Sequence, residues 1–278
     1  MTSGLAFGAR LVEAMDKRGP LCVGIDPHPD LLRAWSLPVS ALGLERFCET
    51  CVGAFGDVAA VIKPQSAFFE VFGSAGLAVL ERTISAARAA GGLVLLDVKR
   101  GDIGSTMSAY AQAYLDPAAP LAADAITVSP YLGVESLAPA FHAAVQHGLG
   151  VFVLAVTSNP GGGQVQRAQT ADGKSVAQAV VDELAERNSR LSPLGSLGVV
   201  FGATASERGV DLTGLNGPIL APGVGAQGGT PEDVRRLFGD ASAVLPSVSR
   251  SVLRQGPDVE ALRAAVARQI EQFAFLRG

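Results

Sequence analysis

The sequence predicts a single (β/α)8 barrel that spans residues 1–278, and three observations favour this fold. Eight short apolar runs are continuous rather than alternating, which is typical of parallel strands covered by helices on both faces. Helical patterns stand between the runs, so strands and helices alternate along the chain. No linker or change of composition divides the 278 residues. A doubly wound open sheet is the alternative.

The predicted elements follow one another in a regular order. A helix at about 4–17 comes first, and we expect it to close the bottom of the barrel. Apolar runs predict eight strands at 21–25, 58–62, 93–96, 125–128, 151–156, 197–201, 218–221 and 243–245. Apolar periodicity predicts helices at 44–55, 76–90, 105–115, 134–146, 175–190, 231–238 and 258–275. Residues 159–173, rich in Gly and Gln, predict a mobile loop.

Composition and charge exclude several classes of function. The formal net charge is -4 and no basic stripe is present, so we expect no nucleic-acid partner. The purest apolar stretch, 149–156, is of strand length and falls short of the ~20 residues that a membrane span needs. The first residues lack the apolar run of a signal peptide. We therefore expect a soluble, cytoplasmic protein.

The three cysteines do not form a metal-binding pattern. Cys48 and Cys51 make a C-x-x-C pair inside a helical pattern, no second pair follows, and Cys22 stands apart. We interpret all three as reduced core thiols, and we expect neither a metal nor a cofactor.

Polar residues occur where the predicted strands end, which is where barrel enzymes place their chemistry. A single charged residue at a strand end usually begins a solvated loop, but five of the eight strands end in polar residues. The residues that this pattern singles out first are Asp26, Lys63, Asp97, Lys99 and Ser158.

Lysine usage strengthens this interpretation. Of 22 basic residues only four are Lys, and two of these, Lys63 and Lys99, stand at predicted strand ends. Lysine can release a proton where arginine effectively cannot, so a proton donor must be Lys even in an Arg-rich chain. Asp97 and Lys99 are two residues apart and would project to the same side of a strand. Asp102 lies past the strand end, in the turn that enters the next helix, where it can point elsewhere, even toward another subunit.

A phosphate site is expected after the last two strands, where barrels commonly bind phosphate. The loop 223–229 is glycine-rich and includes Gln227, and Arg250 stands at a predicted helix start after the eighth strand. Backbone N–H groups, a helix start and a guanidinium together bind anions.

These residues resemble the orotidine 5'-phosphate decarboxylase family, in its longer bacterial subgroup. The family signature D-x-K-x-x-D-(I/V)-x-x-T is matched by Asp97, Lys99, Asp102, Ile103 and Thr106. The phosphate-loop pattern PGVGAQGG is matched at 222–229, and the second strand's Lys and the last strand's Arg are matched as well. Ser129 departs from the pattern, since Asn is expected there.

The resemblance implies a role for each matched residue. Lys63, Asp97, Lys99 and Asp102 would form an alternating charge array, with Lys99 as the proton donor. Asp102, Ile103 and Thr106 would come from the partner of a homodimer. Asp26 and Lys63 would hold the ribose, and Ser158 the pyrimidine. The remaining substrate-binding residues would be Pro222, Gln227, Gly228 and Arg250, with Gln227 and Arg250 on the 5'-phosphate.

Two alternatives stand beside this interpretation. A Mg-dependent sugar-phosphate decarboxylase or synthase of the same superfamily carries D-x-K-x-x-D but has an acid on its second strand, where Lys63 would repel a metal. A catalytically silent nucleotide-binding barrel would not need the intact charge array.

Overall fold

A closed barrel of eight parallel strands organises the chain. The computed structural model describes residues 4–239, 241 and 243–277, and the other positions of the predicted domain lie outside the described residues. The strands are β1 Cys22–Ile25, β2 Val61–Pro64, β3 Leu93–Arg100, β4 Ala125–Val128, β5 Gly150–Val156, β6 Leu197–Phe201, β7 Ile219–Pro222 and β8 Val244–Val248. Each strand pairs with the next, and β8 pairs with β1, so the open-sheet alternative is wrong.

Helices connect the strands on the outside of the barrel. They are α1 Phe7–Arg18, α2 Pro29–Ala34, α3 Ala41–Phe55, α4 Ala67–Glu70, α5 Gly73–Ala89, α6 Gly104–Leu115, α7 Ala138–His147, α8 Gly163–Gln166, α9 Val176–Asn188, α10 Pro231–Phe238, α11 Arg250–Leu253 and α12 Val259–Gln272. Short 3-10 helices lie at Val134–Leu137, Pro160–Gly162 and Ala274–Leu276. Among the described residues, no helix has the length and apolar character needed to cross a membrane.

The second strand begins and ends later in the chain than predicted, and it therefore includes a candidate site residue. The strand begins three residues later than the predicted run at 58–62, because the N–H groups of Val58 and Ala59 donate to Phe55 O at the end of α3. The first residues of the run therefore belong to a turn. The strand forms at Val61–Pro64 and includes Lys63, which was predicted to follow it.

The segment predicted as a mobile loop, 159–173, has more structure than the pattern indicated. It contains a 3-10 helix and α8, and it is bonded to the end of β5. The Gln166 side chain makes two hydrogen bonds there: Nε2 donates to Thr157 Oγ1 at 2.6 Å, and Oε1 accepts from Thr157 N at 3.0 Å. Its mobility stays a prediction.

The core has two parts. A large cluster lies between the strands and the outer helices, and a smaller one fills the barrel interior. Helix α1 contributes Phe7, Leu11 and Met15 to the interior cluster, which also holds the first residues of β1, β2 and β4. An ion pair of 2.7 Å between Arg10 Nη1 and Asp124 Oδ1 joins α1 to the residue that precedes β4. The amino end of the barrel is thus packed, and the carboxyl end holds the cavity described below.

Candidate active site

A cavity of about 810 Å³ opens at the carboxyl ends of the strands. It is lined by residues that lie in or next to all eight strands, so segments far apart in sequence meet there. Eight of the twelve predicted site residues line it: Asp26, Lys63, Asp97, Lys99, Ser158, Pro222, Gln227 and Arg250. Most of the predicted site residues therefore come together in one cavity.

Asp97 lies between two lysines at the floor of this cavity. Its Oδ2 is 3.0 Å from Lys63 Nζ, and its Oδ1 is 2.5 Å from Lys99 Nζ. Lys63 Nζ is also 3.9 Å from Asp26 Oδ1. The Lys63 side chain is only 7% exposed, whereas that of Lys99 is 43% exposed and reaches into the open cavity. Acids and bases alternate, so each buried charge faces an opposite one.

Neighbouring charges shift the pKa values of Asp97 and Lys63 in the directions that keep both groups ionised. Burial alone raises the pKa of Asp97, but the charges of Lys63 and Lys99 outweigh burial and hold that pKa well below its usual range. Burial alone lowers the pKa of Lys63, yet the carboxylates of Asp97 and Asp26 raise it above its ordinary value. Asp97 and Lys63 therefore stabilise each other's charged forms.

The backbone at Lys99 is strained. Its φ is 45°, a left-handed conformation that it shares with three other described non-glycine residues, Ser36, Asn216 and Ala243. Such a conformation costs on the order of 1–3 kcal/mol for a side-chain-bearing residue. The pairing of β3 with β4 shifts register between Leu96 and Arg100. The predicted contact of Asp97 with Lys99 is present, but β3 is irregular there, so regular strand alternation is the wrong reason for it.

Two further polar residues contact Asp97, and the sequence interpretation missed both. Thr127 Oγ1 donates to Asp97 Oδ1 at 2.7 Å. The Gln65 amide, in the orientation that satisfies its donors, places Nε2 3.1 Å from Asp97 Oδ2 and 2.8 Å from Asp97 O. Gln65 follows β2 directly, and this position at a strand end could have marked it as a candidate site residue. Thr127 lies inside the apolar run of β4, and nothing in that run marks it.

The predicted phosphate end is a tight glycine turn beside the start of α11. Gly223 and Gly228 have φ values of 99° and 94°, which L side chains rarely adopt. The turn is closed by a hydrogen bond of 3.0 Å from Gly229 N to Gly223 O. Gln227 and Arg250 line the cavity from the two sides, whereas Gly228 does not line it. Ser158 Oγ donates to Gln227 Oε1 at 3.3 Å, so the β5 and β7 loops meet across the opening.

Three predicted residues, Asp102, Ile103 and Thr106, do not line the cavity of their own chain. The carboxylate of Asp102 accepts a hydrogen bond of 2.8 Å from Ile103 N, at the start of α6. Ile103 is 62% exposed, and two more large apolar residues are exposed on the neighbouring loop, Tyr131 and Leu132. Exposed apolar side chains therefore occur on the segments that follow β3 and β4, and one of them, Tyr131, lines the cavity.

Neither the cysteines nor the acids form a metal centre in the described part of the chain. No group of three or more His, Cys, Asp or Glu residues lies close enough to hold an ion. Cys22, Cys48 and Cys51 are free and buried, and burial raises the pKa of Cys22 and Cys48 to about 12. These thiols are protonated core side chains, as the sequence indicates.

Comparison with known proteins agrees with the geometry. Residues 19–265 match the model of the orotidine 5'-phosphate decarboxylase / HUMPS family. The chain is 63% identical to an orotidine 5'-phosphate decarboxylase of Salinispora arenicola over 264 residues, 95% of each chain. It is 59% identical to one of Streptomyces coelicolor over 263 residues, 94% of this chain and 95% of that one.

A solved structure gives the same result. A crystal structure assigned to an orotidine 5'-phosphate decarboxylase of Streptomyces avermitilis superposes with a TM-score of 0.96 at 56% identity. The match covers 99% of this chain and 97% of that one. With the charge array, the fold and the sequence matches in agreement, the chain belongs to the orotidine 5'-phosphate decarboxylase / HUMPS family.

Proposed function

We propose that this chain decarboxylates orotidine 5'-phosphate to uridine 5'-phosphate and CO2, a step of pyrimidine biosynthesis. The observation that carries the proposal is the contact of Asp97 with both Lys63 and Lys99 at the floor of the cavity. Relatives named for this activity are 59–63% identical over nearly the whole chain, which supports the same assignment.

Lys99 is the proton donor in this proposal. When the carbon–carbon bond breaks, CO2 leaves and the electron pair stays on the ring carbon. An ammonium already in place stabilises that charge without reorganisation. One N–H bond of Lys99 then breaks, and its proton forms the new C–H bond. Asp97 holds the ammonium with a contact of 2.5 Å, while the exposed end of Lys99 leaves it open to the substrate.

Repulsion of the substrate carboxylate by Asp97 is a smaller effect. Two like charges ~4 Å apart at an effective dielectric of 20 give about 4 kcal/mol. Because Asp97 is flanked by two ammonium groups, its net repulsion is weaker still. Large enzymatic accelerations demand as much as ~23 kcal/mol. Most of the acceleration must therefore come from Lys99 and from binding energy of the remote phosphoribosyl group.

The remote end of the cavity suits that phosphoribosyl group. Gln227 and Arg250 bind the 5'-phosphate, and Pro222 and Gly228 shape the loop that surrounds it. Asp26 and Lys63 hold the ribose hydroxyls, and Ser158 contacts the pyrimidine. The hydrogen bond between Ser158 and Gln227 supports this arrangement, since it places the two loops within reach of one ligand.

The reaction proposed here uses neither a metal nor a cofactor. In the Mg-dependent alternative, an acid on the second strand helps to hold the ion. Here Lys63 Nζ occupies the space between Asp26 and Asp97, at 3.9 and 3.0 Å from their oxygens. A divalent cation at this point would be repelled by the ammonium.

A homodimer with shared active sites completes the proposal. In it Asp102, Ile103 and Thr106 reach the partner's cavity and Asp102 extends the partner's charge array. Two observations support this: these residues do not line their own cavity, and the segments that follow β3 and β4 expose the large apolar side chains of Ile103, Tyr131 and Leu132.

A spectrophotometric assay tests the proposed function. The purified chain is mixed with orotidine 5'-phosphate, and the loss of the orotate absorbance is followed with and without a chelator. We expect equal rates in both. A rate that falls with the chelator would favour the metal-dependent alternative. Nucleotide binding without turnover would indicate a silent nucleotide-binding barrel.

A further inference from the structure

We infer that Thr127 is a positioning residue of the reaction, whose hydroxyl holds both the Asp97 carboxylate and the Lys99 backbone in one geometry. This inference rests on the proposed function, because it assigns to Thr127 the support of the array that performs the chemistry. Thr127 itself acts through its two neighbours and donates to no reacting atom.

The hydrogen bonds of Thr127 have a fixed direction. Its Oγ1 lies 2.7 Å from Asp97 Oδ1 and 3.0 Å from Lys99 N, and the residue is only 1% exposed. A backbone N–H can only donate, and an ionised carboxylate can only accept. The single hydroxyl proton must therefore point to Asp97, while the hydroxyl oxygen accepts from Lys99. The hydroxyl of Thr127 therefore links the Lys99 backbone to the Asp97 carboxylate through two consecutive hydrogen bonds.

Thr127 supplies the acceptor that the sheet does not supply at this point. The ladder between β3 and β4 pairs Leu96 with Ile126 and Arg100 with Val128. Residues 97–99 of β3 therefore lie opposite a single residue of β4, Thr127. Lys99 lies in this bulged stretch, with its φ of 45°. Its N–H is bonded to the Thr127 side chain. The hydroxyl thus stabilises the strained conformation that aims the Lys99 side chain.

Thr127 also keeps Asp97 in place while the charges around it change. Asp97 Oδ1 faces Lys99 and Thr127, and Oδ2 faces Lys63, so each oxygen is assigned to one lysine. When Lys99 gives up its proton, its attraction for Asp97 falls. The neutral donor from Thr127 is unaffected by that step and continues to hold the carboxylate.

The test compares an isosteric variant with a conservative one. Thr127→Val keeps the shape but removes the hydroxyl, and Thr127→Ser keeps the hydroxyl. Thr83→Val is the matched control, because Thr83 is also buried and its hydroxyl also makes one short hydrogen bond, to Val79 O, away from the cavity. For each variant, kcat and KM for orotidine 5'-phosphate, the Kd of uridine 5'-phosphate and Tm are measured.

A positioning role predicts a loss in kcat alone. Thr127→Val should lower kcat on the order of 10–100-fold, since misplacement by about 1 Å has effects of that size. KM and the Kd of uridine 5'-phosphate should change by less than about threefold. Thr127→Ser should restore kcat to within about threefold of wild type. Thr83→Val should lose comparable stability with unchanged kcat.

The possible failures are distinguishable. Absence of turnover in the wild-type chain would overturn the proposed function, and this inference with it. An active wild type with an equally active Thr127→Val would overturn the inference alone, as would a folded Thr127→Ser as slow as the valine variant. If the valine variant does not fold, Thr127→Cys replaces it, because a thiol of similar size is only a weak donor; full kcat there would equally overturn the inference.

Discussion

The two ends of the barrel both bury charge, but they use different cations to do so. At the amino end, Asp124 is 4% exposed and pairs with Arg10 at 2.7 Å. At the carboxyl end, Asp97 is paired with Lys63 and Lys99 at 3.0 and 2.5 Å. A guanidinium keeps its proton in proteins, whereas an ammonium can release it. Arginine therefore occurs where the charge only links a helix to the barrel, and lysine occurs where the proposed reaction moves a proton.

The two ends also differ in how completely their polar groups are bonded. Asp124 Oδ1 accepts from Arg10, and its Oδ2 accepts from Val94 N at 2.9 Å and lies 3.4 Å from Arg88 Nε. At the other end, Asp26 Oδ1 is buried and makes no hydrogen bond within the described residues. An unpaired buried oxygen costs stability unless a ligand satisfies it. The amino end is complete in the chain alone, and the carboxyl end retains capacity for a substrate.

The strongest test of this contrast is Lys99→Ala. We expect kcat to fall by more than 100-fold, because general acid catalysis typically contributes 10²–10⁴-fold. Binding of uridine 5'-phosphate, measured by calorimetry, should remain near that of wild type. Lys174→Ala is the control. Lys174 lies at the end of the β5–α9 connection and makes an exposed ion pair with Asp182. A Lys99 variant that keeps more than about one hundredth of kcat would contradict its role as proton donor.

The second test concerns the remote end of the same cavity. Arg250→Ala should lower kcat/KM by about 3 kcal/mol, the upper range for a hydrogen bond to a charged group. The variant is assayed on orotidine 5'-phosphate and on orotidine, which lacks the phosphate. A large effect on orotidine would contradict the assignment of Arg250 to the phosphate. Arg263→Ala, which breaks an exposed pair with Asp57, should change neither rate.

The third test asks whether the carboxyl end is complete within one chain. Lys99→Ala and Asp102→Ala are each expected to be nearly inactive. After they are unfolded and refolded as an equal mixture, about half the dimers are mixed, and each mixed dimer has one site free of both mutations. Activity should recover to roughly a quarter of wild type. An inactive mixture, with mixed dimers shown by mass spectrometry, would place Asp102 in its own chain's site.

The smallest effect on activity is expected at the amino end. Asp124→Asn should leave kcat and KM unchanged while lowering the free energy of unfolding by about 2–3 kcal/mol, because Arg10 loses a buried partner. Urea denaturation measures the loss. Asp57→Asn, at an exposed pair, should cost less than about 1 kcal/mol. If Asp124→Asn instead slowed turnover at unchanged stability, the assignment of stability to the amino end and of chemistry to the carboxyl end would be wrong.

Much of this arrangement could be predicted from the sequence, for a physical reason. Parallel strands buried on both faces give continuous apolar runs, and their carboxyl ends converge, so Lys63, Asp97 and Lys99 were expected to meet. The start of β2 was misplaced because Val58 is apolar but belongs to a turn whose bonds are to α3. Apolar character alone does not distinguish the two.

Other features depend on contacts that a single sequence does not carry. Thr127 lies within an apolar run, and only the bulge in β3 makes its hydroxyl the acceptor for Lys99 N. The left-handed backbone at Lys99 has no local signal, since lysine is an ordinary strand-end residue. The place proposed for Asp102, in the site of a partner chain, depends on a second surface that the spacing of D-x-K-x-x-D does not describe.

At position 99 folding and chemistry favour different amino acids. A backbone with φ of 45° is accommodated most easily by glycine, which has no side chain to oppose it. A sequence chosen only to fit this backbone would therefore carry glycine here and lose its proton donor. Given the proposed role of Lys99, a substitution that relieves the backbone strain would gain stability at the expense of the reaction. One of the four described non-glycine residues with a left-handed backbone is thus a residue on which the proposed chemistry depends.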